Sequence, residues 1–178
     1  MNKAAKAYVR AIDQTSRAVG KFAMSMVLLM VAVLLYETIS RTVFNQPHIW
    51  SVELSQFIMA AYYLLGGGYA LLIDGHVRMD LLYHRWTFRQ KAIADVITFF
   101  ITLVYMVVLT YGGVQGIIYA VRYKQVSYSA WAPSLIPIKF IMTAGIILMF
   151  LQTISELIKD IAVARGEDID VVRAEDKK

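Results

Sequence analysis

VITFFITLVYMVVLTYGGVQGIIYAV, residues 96–121, runs for 26 residues without an Asp, Glu, Lys or Arg. The ~30 Å hydrocarbon core of a bilayer takes about 20 apolar helical residues. At 1.5 Å per residue this stretch covers roughly 39 Å, so it must tilt or protrude. Three further charge-free stretches, Phe22–Tyr36, Leu54–Ile73 and Phe140–Ser155, reach span length alone or with their flanks. Over all 178 residues the hydrophobic fraction is 58%, the mean hydropathy +0.55 and the charged fraction 17%. Soluble domains carry about 25% charge. The fold class that follows is an all-α membrane protein with four transmembrane helices and almost no soluble mass.

Working outward, the first span is expected from about residue 22 to residue 44, ending at Asn45-Gln46-Pro47, a turn signal with Pro suited to the next helix's first turn. The second begins near Ser51 and stops at Asp74-Gly75, where Gly supplies a left-handed cap. The third starts near Ala92, and the fourth runs from about Ile136 to Ile158. Between spans two and three, Leu81, Leu82, Trp86 and Phe88 suggest a short interfacial helix in the 75–92 loop. Three regions result: an interfacial segment over residues 1–21, a membrane domain over 22–160 and a charged tail over 161–178. In the first, Lys3, Lys6, Arg10, Arg17 and Lys21 share one helical face while Ala4, Tyr8, Ile12, Thr15 and Val19 share another. This predicts an amphipathic helix lying in the headgroup region; a plain positive flank that sets orientation explains the same residues. No A-x-A-like cleavage site follows the first apolar run, so that span is expected to be retained.

Lys and Arg divide unequally between the two sides. The N-terminal segment, the 75–92 loop and the C-terminal segment hold 14, whereas Arg41, Arg122, Lys124 and Lys139 make 4 on the other side. This predicts both termini in the cytoplasm. The net charge of +5 flanks the apolar segments and forms no single patch, which points to membrane lipid and away from nucleic acid. With no cysteine there is no disulfide, thiolate-bound metal, iron–sulfur cluster or thiol catalysis. His48, His76 and His84 all fall in loops, so no haem can be ligated between spans, and no metal site is expected.

Glu37 and Arg41 stand four residues apart at the outer end of span one, with Glu53 across the turn at the start of span two. Ionisable groups in membrane segments invite a functional reading, but at this interfacial depth a structural ion-pair cluster is favoured. No acid lies in the middle of any expected span, and no internal repeat is visible, which disfavours a proton-coupled carrier and an inverted-repeat transporter. Gly66, Gly67 and Gly68 in span two, and Gly112, Gly116 and Ala120 in span three, suit close helix packing. The sharper alternative, an unwound ion-binding segment, lacks polar side chains around the glycines. The outer run Ser127–Pro137, with Trp131, Pro133 and Pro137, reads either as interfacial anchoring or as a docking surface for a partner protein.

One continuous block carries a resemblance. Arg41-Thr42-Val43-Phe44-Asn45 leads through Pro47 and Trp50 to Glu53, then into Gly66-Gly67-Gly68 and Gly75-His76-Val77-Arg78-Met79-Asp80-Leu81-Leu82. The later Ser129, Pro133, Pro137, Gly145 and Leu151-Gln152 continue it, so that residues 37–158 resemble the small membrane subunit of tripartite ATP-independent periplasmic (TRAP) transporters, the DctQ family. The resemblance implies a non-enzymatic subunit, multi-pass in a bacterial inner membrane, without cofactor, catalytic residue or substrate site of its own. In such systems a larger multi-span permease subunit imports an organic acid on a sodium gradient, and a soluble periplasmic binding protein delivers it. The small subunit braces the permease and contributes to the docking surface. The resemblance places Arg41, Asn45, Trp50, Glu53, His76, Arg78 and Asp80 among its structural or interaction residues; Glu37 joins them from the ion-pair cluster and Trp131 from the outer run, which departs from the plainest family pattern. Two other classes remain: a self-sufficient small carrier or channel, whose polar path would be limited to Gln56, Thr98, Thr102, Gln115 and Thr143, and a membrane enzyme built on His76, Arg78 and Asp80.

Overall fold

The computed structural model describes residues 3–73 and 88–164. They form four helices: α1 (Lys3–Val43), α2 (Ile49–Leu72), α3 (Phe88–Arg122) and α4 (Ile136–Ala164). The one β feature among them is an isolated bridge between Val126 and Ser134.

Each described turn has a local cause. α1 stops where Asn45 takes φ 55°, a left-handed conformation that Asn tolerates. Ser40 holds that turn from both sides: its carbonyl accepts the Phe44 and Gln46 N–H groups at 3.2 and 3.1 Å, and its hydroxyl donates to Gln46 O at 3.0 Å. α3 ends in a Schellman motif with Lys124 at φ 45°. There the Gln125 N–H reaches Ala120 O at 3.0 Å and the Lys124 N–H reaches Val121 O at 3.4 Å. Pro137 occupies the first turn of α4, where its missing N–H costs nothing.

α2 is the centre of the bundle, packed along both α1 and α4, while α3 docks chiefly on α4. Glycines set these contacts. A Cβ on Gly145 would come within 2.8 Å of the Leu64 backbone, so α2 and α4 touch there main chain to main chain. Gly20 of α1 seats the Tyr69 ring, Gly67 seats Met149, and Gly113 of α3 meets Thr143. The buried apolar set is small and includes Ala23, Ile58, Ala61, Met106, Ala120 and Ile146. Meanwhile Phe22, Leu28, Leu35, Phe100, Ile101, Val108 and Tyr111 stand more than half exposed, an outward apolar surface that water would not tolerate and lipid or a partner would.

Three helical segments are long and apolar enough to cross a membrane: Ala5–Val43, Thr98–Arg122 and Ile136–Lys159. α2, expected as the second span, is long enough at roughly 36 Å. It falls short in composition, because Gln56, three tyrosines and Gly66–Gly68 dilute it. At the N-terminus, the helix expected over residues 1–21 belongs to α1, which continues through residue 21 into the first span without a break, roughly 60 Å in all. Val9, Asp13, Ser16, Gly20 and Ala23 turn inward, and polar residues of α4 meet Asp13 and Ser16 there. A further difference concerns span three: a Cβ on Gly112 or Gly116 would meet nothing within 4 Å among the described residues, although the Gly116 carbonyl accepts from Lys139 Nζ at 3.5 Å. Gly113, one position round the helix, makes the contact.

Candidate functional site

Two polar assemblies stand at opposite ends of the bundle. At the end expected to face outward, α1 delivers Glu37 to the start of α2. Its carboxylate accepts the His48 N–H at 3.3 Å to each oxygen and lies 2.8 Å from Ser51 Oγ. The Ser51 hydroxyl has a single proton and also lies 2.6 Å from His48 O, so it donates to one acceptor at a time. An anion placed against the unpaired N–H groups of α2 is stabilised by the helix dipole, which explains a buried acid at this position. Arg41 Nε approaches Glu37 at 3.7 Å, but its side chain is 66% exposed. Tyr36, His48 and Trp50 form an aromatic trio over the turn, with ring centroids 5.6–5.9 Å apart.

The expected cluster of Glu37, Arg41 and Glu53 is therefore two arrangements. Glu37 and Arg41 come together with the Asn45 turn and Trp50. Glu53 turns away to the outer loop, where its Oε1 accepts from Ser127 Oγ at 3.2 Å. Its Oε2 is buried and meets no hydrogen-bond donor among the described residues. Beside it lies an open depression of about 360 Å³, lined by Arg41, Pro47, His48, Val52, Glu53 and Gln56.

The loop between α3 and α4, residues 123–135, expected on the outer side, is folded back on itself. The Ser127 N–H donates to Pro133 O at 2.9 Å and the Leu135 N–H to Gln125 O at 3.0 Å. Its tip is held by the Ala132 N–H, which donates to Ser129 O and Oγ, with Ala132 itself at φ 45°. Lys139 Nζ fixes the base through Gln125 Oε1 at 2.6 Å. Tyr128 is fully exposed and Trp131 46% exposed, so the loop is rigid in backbone and open in side chains.

At the opposite end lies an assembly that sequence reasoning missed. Asp13, Ser16, Gln152, Ser155 and Lys159 are all buried between α1 and α4. Gln152 donates from Nε2 to Asp13 Oδ1 at 2.7 Å and to Glu156 Oε1 at 3.0 Å, and its Oε1 accepts from Ser16 Oγ at 2.7 Å. Ser155 Oγ adds a 3.1 Å bond to Asp13 Oδ1. Lys159 Nζ stands 2.5 Å from Asp13 Oδ2 and 3.2 Å from Glu156 Oε1. Tyr8 extends the contact by donating to Leu151 O at 3.2 Å. The signal was present as Asp13-x-x-Ser16 and Gln152-x-x-Ser155-Glu156-x-x-Lys159, polar residues three or four apart on one face of each helix. Gln152 had drawn notice only as part of the resemblance.

Of the other expected positions, Gly66 lies at ordinary contact distance from Ala23, Gly67 is packed, and Pro133 and Pro137 frame the outer loop. His76, Arg78 and Asp80 lie outside the described residues, as does most of the 75–92 loop. Among the described residues no three His, Asp or Glu side chains gather as a metal-binding group. Chemically, both assemblies join helix to helix and spend their donors and acceptors doing so; the exception is Glu53 Oε2.

The chain matches the family described as tripartite ATP-independent periplasmic transporters, DctQ component, over residues 30–163. No curated protein and no solved structure matches it.

Proposed function

The chain belongs to the DctQ family of TRAP transporter components, and on that premise we propose that this small permease subunit is a scaffold that moves no solute by itself. The observation that carries this reading is where the polar groups are. Asp13, Gln152 and Lys159 at one end and Glu37, Ser51 and Glu53 at the other are engaged in holding helices and loops together, while outward faces of α1 and α3 carry large apolar side chains. A carrier needs a polar path, whereas a brace needs surface for another subunit.

In this reading α2 is the fourth span, shielded on two sides by α1 and α4, so its modest hydropathy is tolerated. Both termini face the cytoplasm of a bacterial inner membrane, as the 14-to-4 division of Lys and Arg supports. The large permease subunit binds and moves an organic acid on a sodium gradient. The stiffened outer loop, with Trp131 and Tyr128 displayed, forms part of the surface that receives the loaded periplasmic binding protein.

Reconstitution tests this directly. The chain alone in proteoliposomes gives no organic-acid uptake under a sodium gradient. Uptake appears with the large permease and the loaded binding protein and requires all three. Trp131→Ala weakens stimulation by the binding protein more than it weakens the membrane complex. Uptake by the isolated chain would establish the self-sufficient carrier instead, and full activity without the chain would remove the scaffold role.

A further inference from the structure

The outer half of α2 carries an uncovered seam. Ile49, Val52, Gln56, Met59 and Tyr63 are exposed, and they recur at intervals of three, four, three and four residues. From Leu64 to Leu72 no residue of α2 is exposed, so the seam is confined to the outer half, about 21 Å long. A three–four alternation is the pattern by which one helix receives another at a shallow left-handed crossing. α2 is moreover the helix whose composition falls short of a lipid-crossing segment, and Gln56 sits within the exposed stripe, where hydrocarbon would leave its amide unsatisfied.

At the outer head of this seam lies the depression lined by Val52, Gln56 and Glu53. Glu53 is more than nine-tenths buried, and its Oε2 has no donor among the described residues. A buried carboxylate oxygen without a donor carries a desolvation cost that an incoming cation would relieve. Arg41, which also lines the depression, is directed to Glu37. The outer end of the α1–α2 pair therefore holds two buried carboxylates and one arginine, and the unanswered charge is negative.

We propose that the α2 seam and the Glu53 depression are the dock for one membrane-spanning helix of the large permease subunit, which places an arginine or lysine in the depression to complete the coordination of Glu53. This rests on the subunit assignment made above and adds the face and the recognition chemistry.

The test uses the chain co-expressed with its permease, with a photo-cross-linking amino acid placed singly at Val52, Met59 or Tyr63. All three positions are exposed; Tyr63 stacks only on the neighbouring Tyr62 ring, so adducts at Val52 and Met59 serve as the check on that position. The expected result is a permease adduct at each, with the adduct from position 52 mapping near a basic residue of the permease. Glu53→Gln keeps the side-chain volume and an oxygen for Ser127, and is expected to lower recovery of the permease with the chain by about tenfold, the loss of a hydrogen bond to a charged group. Adducts only with lipid, or only with a second copy of this chain, overturn the proposal, as does undiminished recovery with Glu53→Gln. If that variant fails to fold, the seam cross-links decide alone. A wild-type chain that does not co-purify with the permease would defeat the subunit assignment itself. Intact co-purification without seam adducts would defeat this inference alone.

Discussion

Replacing Lys159 with methionine removes the ammonium that stands 2.5 Å from Asp13 Oδ2 and 3.2 Å from Glu156 Oε1, and leaves a side chain of similar length in its place. Asp13 is 1% exposed, so no water reaches the oxygen left behind, and Oδ1 keeps its bonds from Gln152 and Ser155. The cost is therefore that of stranding a buried charge, about 3–5 kcal/mol, a factor of a hundred or more in the folded ratio. Asp13→Asn alone should cost a comparable amount, because its new amide faces the ammonium. The double variant removes both charges and keeps an oxygen for Gln152 and Ser155. It should cost no more than either single variant, giving a coupling energy of at least about 3 kcal/mol, the size of one single loss. Denaturant titration of the four proteins in one mixed-micelle system, followed by circular dichroism, measures the cycle. Single variants within about 0.5 kcal/mol of wild type, or a double variant equal to the sum of the singles, would refute the network as described.

Gly145→Ala should destabilise the bundle by about 1–3 kcal/mol, since the Leu64 backbone at 2.8 Å cannot yield, and Gly67→Ala should cost less because Met149 is flexible; both are read from thermal unfolding in detergent. Gly112→Ala and Gly116→Ala, which meet nothing, should leave the isolated chain as stable or raise it by about 0.5–1 kcal/mol through helix propensity, in the same assay. Glu37→Ala should lose about 1–3 kcal/mol by stripping the cap from α2, whereas Arg41→Ala should change stability by at most about 1 kcal/mol, because the arginine is largely exposed and distant; chemical denaturation separates the two. Single cysteines at Gln46 and Gln125 should react with an impermeant thiol reagent outside sealed spheroplasts, and one at Lys3 only after lysis; the reverse pattern would invert the topology.

The helices were legible because membrane spans announce themselves locally. Charge-free runs of 15 or more residues, the Asn45-Gln46-Pro47 turn and Pro137 at a helix start each depend only on neighbours in sequence. Rotation about a helix axis was not legible. Gly112 and Gly113 are adjacent, about 100° apart, and nothing local says which of them meets Thr143. The same blindness affected residues 3–21. Five Lys and Arg on that helix suggested a surface role, and the partners of Asp13 stand about 140 positions away, where no periodicity can connect them. Glu53 illustrates the middle case: its depth and its motif were readable, but its preference for Ser127 over Arg41 depends on how the outer loop folds back.

The Asp13–Lys159 network joins α1 to α4, so it can close only after α4 has been made. While α4 is still on the ribosome, Asp13 and Ser16 sit on an inserted helix without the residues that later satisfy them. The nascent chain is thus polar and incomplete at its inner end until Gln152, Ser155 and Lys159 emerge. A chain stalled before them leaves the Asp13 carboxylate uncompensated, and one that has made α4 buries it against Gln152, Ser155 and Lys159. Closure of that latch is therefore a late step of assembly, complete only when α4 docks on α1.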